Sequence, residues 1–287
     1  MMPTRRSAIG WSIVLAVAVA VAVVELPALG AGGLLHPARR RLDAATPATC
    51  VDFVFFGAGV ALKGWRCKAT GVRRGSLVYL HGVADNRASA AGVIRRFGAR
   101  GFDVVAYDSR AHGESAGDAC TYGFFEKQDL RRVIDTIDAG PIVLVGTSLG
   151  AAVALQEAAL DERVTAVVAA ETFSDLRTVA AERAPFFFTS TIINRAFRLA
   201  EQQGSFKVEA VSPAIAAGNV TAPVLLVHGD ADTDTPADHS KRVFANLHEP
   251  KRLILVPGAH HNGSLRNDVW SEIERWIDAV LARRHDT

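Results

Sequence analysis

Six short apolar runs recur along this chain, and the spacing between them limits what it can fold into. They are SLVYLHG (residues 76–82), FDVVAYD (102–108), PIVLVG (141–146), VTAVVAA (164–170), PVLLVHG (223–229) and RLILVPG (252–258). Each is too short for a helix and too uniformly apolar for a half-exposed strand. Between or after them, residues 88–100, 124–139, 149–159 and 269–284 carry helical spacing; Leu130, Val133, Ile134 and Ile137 share one face. Buried strands alternating with amphipathic helices predict a mostly parallel sheet covered on both faces.

Two segments depart from the alternation. Before it, CVDFVFFGAGVALKGWRC predicts an antiparallel hairpin at one sheet edge, turning at Gly57-Ala58-Gly59, for about eight strands in all. That turn sets Cys50 and Cys67 nearly opposite each other. They form either a disulfide, which would imply an oxidising compartment, or two buried thiols; Cys120 is left over. Residues 175–218 look helical, contain PFFFTSTII and read as a small cap over the sheet. Residues 46–287 thus form one α/β domain, and 49% hydrophobic content over 287 residues suffices for its core.

Charge excludes one class of partner. The 32 basic and 30 acidic residues nearly cancel, and no basic stripe interrupts the body, so nothing points to nucleic acid. Oligomeric state is not legible.

The first 45 residues stand apart. Arg5 and Arg6 precede an uncharged run over residues 9–24, and after Glu25 the apolar character resumes to Leu35. The uncharged run alone falls short of the roughly 20 residues that cross a bilayer. With the residues after Glu25 added, the segment is expected to be a transmembrane anchor, its body outside the cytoplasm. A cleaved signal peptide ending near Ala28-Leu29-Gly30 and a buried helix of the domain are the alternatives.

Ligands of such sheets gather beyond the carboxyl ends of the strands. The third run passes straight into GTSLG and then an alanine-rich helix. A strand that becomes a helix within two residues forces the turn residue into a strained conformation and admits only small neighbours, here Gly146 and Gly150. Ser148 is thereby lifted above the sheet as a candidate nucleophile. Ser115, in GESAG, fits the same Gly-x-Ser-x-Gly pattern but leads into a loop, and is read as structural.

A nucleophilic serine needs a base, and the base an orienting acid. The fifth run ends in HGDADTDTP, offering Asp232 with Asp230 and Asp234 as rivals; a metal cluster there is disfavoured. The sixth ends in VPGAHHNG, offering His260 and His261. The order Ser148, Asp232, His261 is that expected for a triad on this kind of sheet.

Those motifs, with YLHG, YDSRAHGESAG and the Ser212-Pro213 pair, resemble the α/β-hydrolase superfamily over about residues 53–282. They are most similar to its membrane-associated, serine-aminopeptidase-like lipases and esterases. The resemblance implies that Asp232 is the acid and His261 the base, although His260 replaces the glycine of the usual Gly-x-Gly-His-Asn. It implies oxyanion donors at the amides of Leu149 and Val83, with His81, His112 and Asp108 bracing loops. The expected activity is hydrolysis of a carboxylic ester or thioester of a lipid or other acyl substrate, without cofactor or metal. A peptidase-type amidase, or a ligand-binding protein on the same scaffold, is the alternative.

Overall fold

The computed structural model describes residues 5–285. The expected hairpin is present: β1 (Cys50–Phe56) pairs antiparallel with β2 (Ala61–Cys67). The core strands are β3 (Gly75–Leu80), β4 (Phe102–Tyr107), β5 (Ile142–Thr147), β6 (Val164–Ala170), β7 (Val224–Gly229) and β8 (Lys251–Val256). Together they form one sheet in the order β1-β2-β4-β3-β5-β6-β7-β8. β1, β2 and β4 join antiparallel, and every later pairing is parallel.

The continuous apolar runs are explained by two-sided burial. Within β3, Leu77 and Tyr79 pack on one face of the sheet and Val78 and Leu80 on the other. Val143 and Val145 of β5 oppose Leu144 in the same way, as the two-residue period of a strand requires. One face is covered by α3 (Glu126–Ile134), α4 (Leu149–Ala158) and α8 (Asp238–Asn246). The other is covered by α2 (Ala91–Gly98) and α9 (Asn267–His285).

Two sequence expectations need adjustment. The helix expected over 124–139 is shorter, because α3 closes in tight turns, Thr136 N to Val133 O and Ile137 N to Ile134 O, both 3.0 Å. Phe124 and Phe125 stack edge to face instead of starting it. The run over 252–258 reads as a buried strand, yet β8 lies at the sheet edge and is only partly covered.

Cys50 and Cys67 are direct partners in the β1–β2 register and are joined by a disulfide, while Cys120 is free and buried. Residues 175–218 form α5 (Leu176–Glu182), α6 (Ser190–Gly204) and the short α7 (Pro213–Ala217), with no strand.

The N-terminal expectation of a transmembrane anchor, and the membrane location drawn from it, is overturned. Residues Arg5–Leu35 form a single helix, α1, that contains Pro27. Among the described residues no helix is long and apolar enough to cross a membrane. The span was to be completed by residues after Glu25, and those residues are spent on the protein. Ala31 and Leu35 are fully buried with Phe197 and Ala200 of α6, and Leu35 O accepts the Cys120 amide at 2.8 Å. Gly30 sits so close to Ala196 and Phe188 that a Cβ there would lie 3.0 Å from each. The small-residue stretch at Ala28 to Gly30 lies inside this helix. Trp11, Ile13 and Val14, further up the helix, stay exposed.

Candidate active site

Ser148 occupies the single residue between β5 and α4, with φ 50° and ψ −113°. A non-glycine residue held there costs on the order of 1–3 kcal/mol, so the surroundings must over-determine it. They do so from both sides. Ser148 N donates to Ala170 O at 2.8 Å, and Ser148 O accepts Ala152 N at 3.1 Å. The flanking glycines are steric necessities: a Cβ on Gly146 would lie 2.4 Å from the Gly150 carbonyl carbon, and one on Gly150 would lie 2.1 Å from Leu80 O.

The loops after β7 and β8 complete the cluster. His261 Nε2 is 3.1 Å from Ser148 Oγ, and His261 Nδ1 is 2.6 Å from Asp232 Oδ2. The ring therefore donates from Nδ1 to the carboxylate and accepts the serine hydroxyl at Nε2. The other Asp232 oxygen accepts the amides of Asp234 and Thr235, each at 2.9 Å. Burial acts to raise the Asp232 carboxyl, but hydrogen bonds from His228, His261 and the Thr235 amide outweigh it. They hold the group well below the usual carboxylate range.

Of the rivals, Asp234 lines the cleft and gives its amide to Asp232, and the others are engaged or turned elsewhere. His260 is exposed, and His261 is the one that faces Ser148. Asp230 accepts the Gly258 amide at 2.7 Å, away from the imidazole. Ser115 Oγ donates to Asp108 O at 2.6 Å and accepts Lys63 N at 2.8 Å, so its hydroxyl is consumed by the scaffold. His81 and His112 are buried edge to face; His81 Nε2 accepts the Ser109 amide and its Nδ1 donates to Gly82 O. Burial pushes His112 down to about 4, so it is neutral near pH 7. Asp108 binds the buried Arg87 guanidinium at 2.5 Å and the Arg87 amide at 2.7 Å.

Leu149 opens α4, where an N–H has no acceptor inside the helix. Gly82 packs on Ser148, a Cβ built on it lying 3.6 Å from the serine Cβ, and so brings Val83 to the cleft wall. The cleft encloses about 940 Å³, opens on Ser148 and His261, and includes Tyr79, Arg95, Arg183 and Trp270 in its walls. A second, apolar cavity of about 500 Å³ lies between α1 and α5–α6, lined by Leu29, Leu34, Val179, Phe187 and Phe188. Arg183 lines both.

One site residue escapes the sequence reading. Glu171 directly follows β6, is 2% exposed, lines the cleft and reaches within 3.9 Å of His261 Nδ1. Its one sequence signal is position: like the other three it lies beyond the carboxyl end of a strand, but no motif surrounds it. Glu171, Asp232 and His261 bring potential ligand atoms within 4.8 Å of one another. Nδ1, however, is already committed to Asp232.

Comparison with known proteins agrees with this architecture. Residues 75–218 match the family described as "alpha/beta hydrolase fold". The chain is 28% identical over 239 residues to YfhR of Escherichia coli K12, covering 78% of each protein. It is similar in fold to the Pyrococcus furiosus esterase Pf2001, with a TM-score of 0.69 and 20% identity over 86% of this chain and 98% of that one. Pyrococcus horikoshii acylaminoacyl peptidase superposes with a TM-score of 0.60 at 20% identity, over 76% of this chain and 38% of the peptidase.

Proposed function

The chain belongs to the alpha/beta hydrolase fold family, and from that premise we propose that it is a serine hydrolase acting on a carboxylic ester or thioester. The observation that carries the reading is the unbroken chain Ser148 Oγ, His261 Nε2, His261 Nδ1, Asp232 Oδ2, with links of 3.1 and 2.6 Å, opening on a cleft.

His261 takes the Ser148 proton as Oγ attacks the acyl carbonyl. Asp232 keeps the ring in the productive tautomer and stabilises the imidazolium. The amides of Leu149 and Val83 receive the oxyanion; such a donor is worth about 2.7–4 kcal/mol. His261 then returns the proton to the leaving group, and water releases the acyl group by the same steps in reverse roles.

The apolar cavity favours an acyl chain on the carbonyl side, entering past Arg183, with residues 175–218 acting as its cap. A lipid-derived or other acyl substrate follows. Each buried methylene contributes about 0.8 kcal/mol, so kcat/KM should rise about fourfold per CH₂ along an ester series until the cavity is full.

The test is labelling by a fluorophosphonate probe, paired with turnover of esters and anilides of increasing acyl length. Labelling of the native chain and not of Ser148→Ala, with turnover that survives chelator, is expected. Absence of both labelling and turnover in the native chain would favour a ligand-binding protein. Preference for anilides over esters would move the assignment to an amidase.

A further inference from the structure

β3, β5, β7 and β8 feed the site with residues the proposed reaction uses. The end of β6 feeds it Glu171. Its backbone has φ 56° and is pinned by its own amide, which donates to Val227 O at 2.8 Å. Its side chain then turns toward the loop that carries the base. Oε2 accepts the Asn262 amide at 2.6 Å, and Oε1 accepts the Ser264 amide at 3.0 Å. Those two amides lie one and three residues past His261, and Asn262 itself has φ 64°. The loop turns sharply at that point, and one carboxylate spans the turn.

A buried carboxylate ordinarily requires a cation or a full set of donors. Among the described residues no lysine or arginine lies within ion-pair distance of Glu171; the group in range is His261, at 3.9 Å from Oε2. Burial of this charge is therefore compensated by the histidine loop, and the conformation of the loop is in turn set by this charge. Asp232 and Glu171 approach the same ring nitrogen, Asp232 in contact and Glu171 one step behind.

We infer that Glu171 is a positioning residue for the base: it locks the His261 loop through two amides and holds a second carboxylate beside Nδ1. The inference rests on the proposed Ser148–His261–Asp232 reaction. When His261 accepts the serine proton, the positive ring faces two carboxylates. If Asp232 is removed, Glu171 is the remaining one.

The test measures kcat and KM on a 4-nitrophenyl ester, with thermal melting, for E171Q, E171D, D232A and the D232A/E171Q pair. Misplacement of a reacting group by about 1 Å costs on the order of a hundredfold, so kcat of E171Q should fall between about tenfold and a hundredfold. KM should stay within about twofold, because substrate binding does not use the displaced proton path. E171D, which keeps the charge on a shorter stem, should recover part of the loss. The residual turnover of D232A should fall again when E171Q is added. Wild-type kcat in E171Q, or equal turnover in D232A and the double variant, would overturn the inference. If E171Q does not fold, E171D alone decides: reduced kcat at unchanged KM supports the role, and wild-type kcat refutes it. Ser148→Ala run alongside separates the two readings. An active Ser148→Ala sinks the hydrolase assignment itself, whereas an inactive one beside a fully active E171Q sinks only the role of Glu171.

Discussion

Two serine–histidine–carboxylate clusters among the described residues invite comparison, because they leave their histidines in different states of readiness. In the first, His261 bridges Ser148 and Asp232 at the floor of an open cleft. In the second, Ser174 Oγ lies 2.8 Å from His239 Nδ1, and His239 Nε2 lies 2.7 Å from Glu182. The difference lies in what the ring nitrogens are free to do. His239 Nδ1 already accepts the Ser174 backbone amide at 3.0 Å, so its proton resides on Nε2 and is given to Glu182. The Ser174 hydroxyl donates to Asp175 at 2.8 Å, and both Ser174 and His239 are buried. Burial pushes His239 down, against the pull of Glu182, and keeps it neutral. This second cluster ties the end of β6 to α5 and α8. Similar residue types are thus left poised or spent on cohesion according to whether a lone pair on the histidine faces a hydroxyl with nowhere else to donate.

The widest test of that contrast replaces each serine. Ser148→Ala should lower kcat by at least about ten-thousandfold, whereas Ser174→Ala should keep turnover per folded molecule within about twofold. Steady-state ester hydrolysis reads both, and comparable losses would erase the distinction. The acids come next. Asp232→Asn leaves the imidazole in the wrong tautomer and should cost about ten-thousandfold in kcat, while Glu182→Gln should leave kcat unchanged. A smaller effect falls on stability: His239→Ala strands the Ser174 amide and should cost about 1–3 kcal/mol in denaturant unfolding without loss of kcat.

The smallest effect sharpens the comparison from outside both clusters. Glu157 is buried on α4 against Arg131, and burial raises it to about 7 despite that partner. Its folded value lies above the ordinary 4.5, so the folded state holds the extra proton between those values. Its contribution to stability is therefore lost as pH rises from 4.5 to 7. Asp232 has the opposite sign: its contribution is present above the ordinary 3.8 and lost as pH falls below it. Unfolding midpoints measured from pH 5 to 8 should decline in the native chain relative to Glu157→Gln. Parallel profiles would show that Glu157 titrates normally.

Much of this was legible before any coordinates. Continuous apolar runs require two-sided burial, and the sheet with its edge hairpin follows. Gly146, Ser148 and Gly150 announce a strained junction because their constraint is local, set by atoms two residues apart. The roles of His261 against His260 and of Asp232 against Asp230 were only ranked, since neighbouring residues in one loop differ in direction and not in type. Glu171 was passed over because a single acid after a strand carries no pattern of its own. The N-terminal segment was misread because hydropathy reports that a surface is apolar and not what covers it.

Local sterics and hydrophobic period, both written in short stretches of sequence, determined the strands, the helices and the strained serine. Tertiary structure alone decided that residues 113 positions apart meet at 3.1 Å, that α1 docks on α6, that Cys50 bonds Cys67, and that Ser148–His261 faces a cleft while Ser174–His239 is sealed. The reason is physical. Each of these outcomes depends on which long-range partner wins a buried donor or an apolar face, and that competition is settled only when the whole chain is packed.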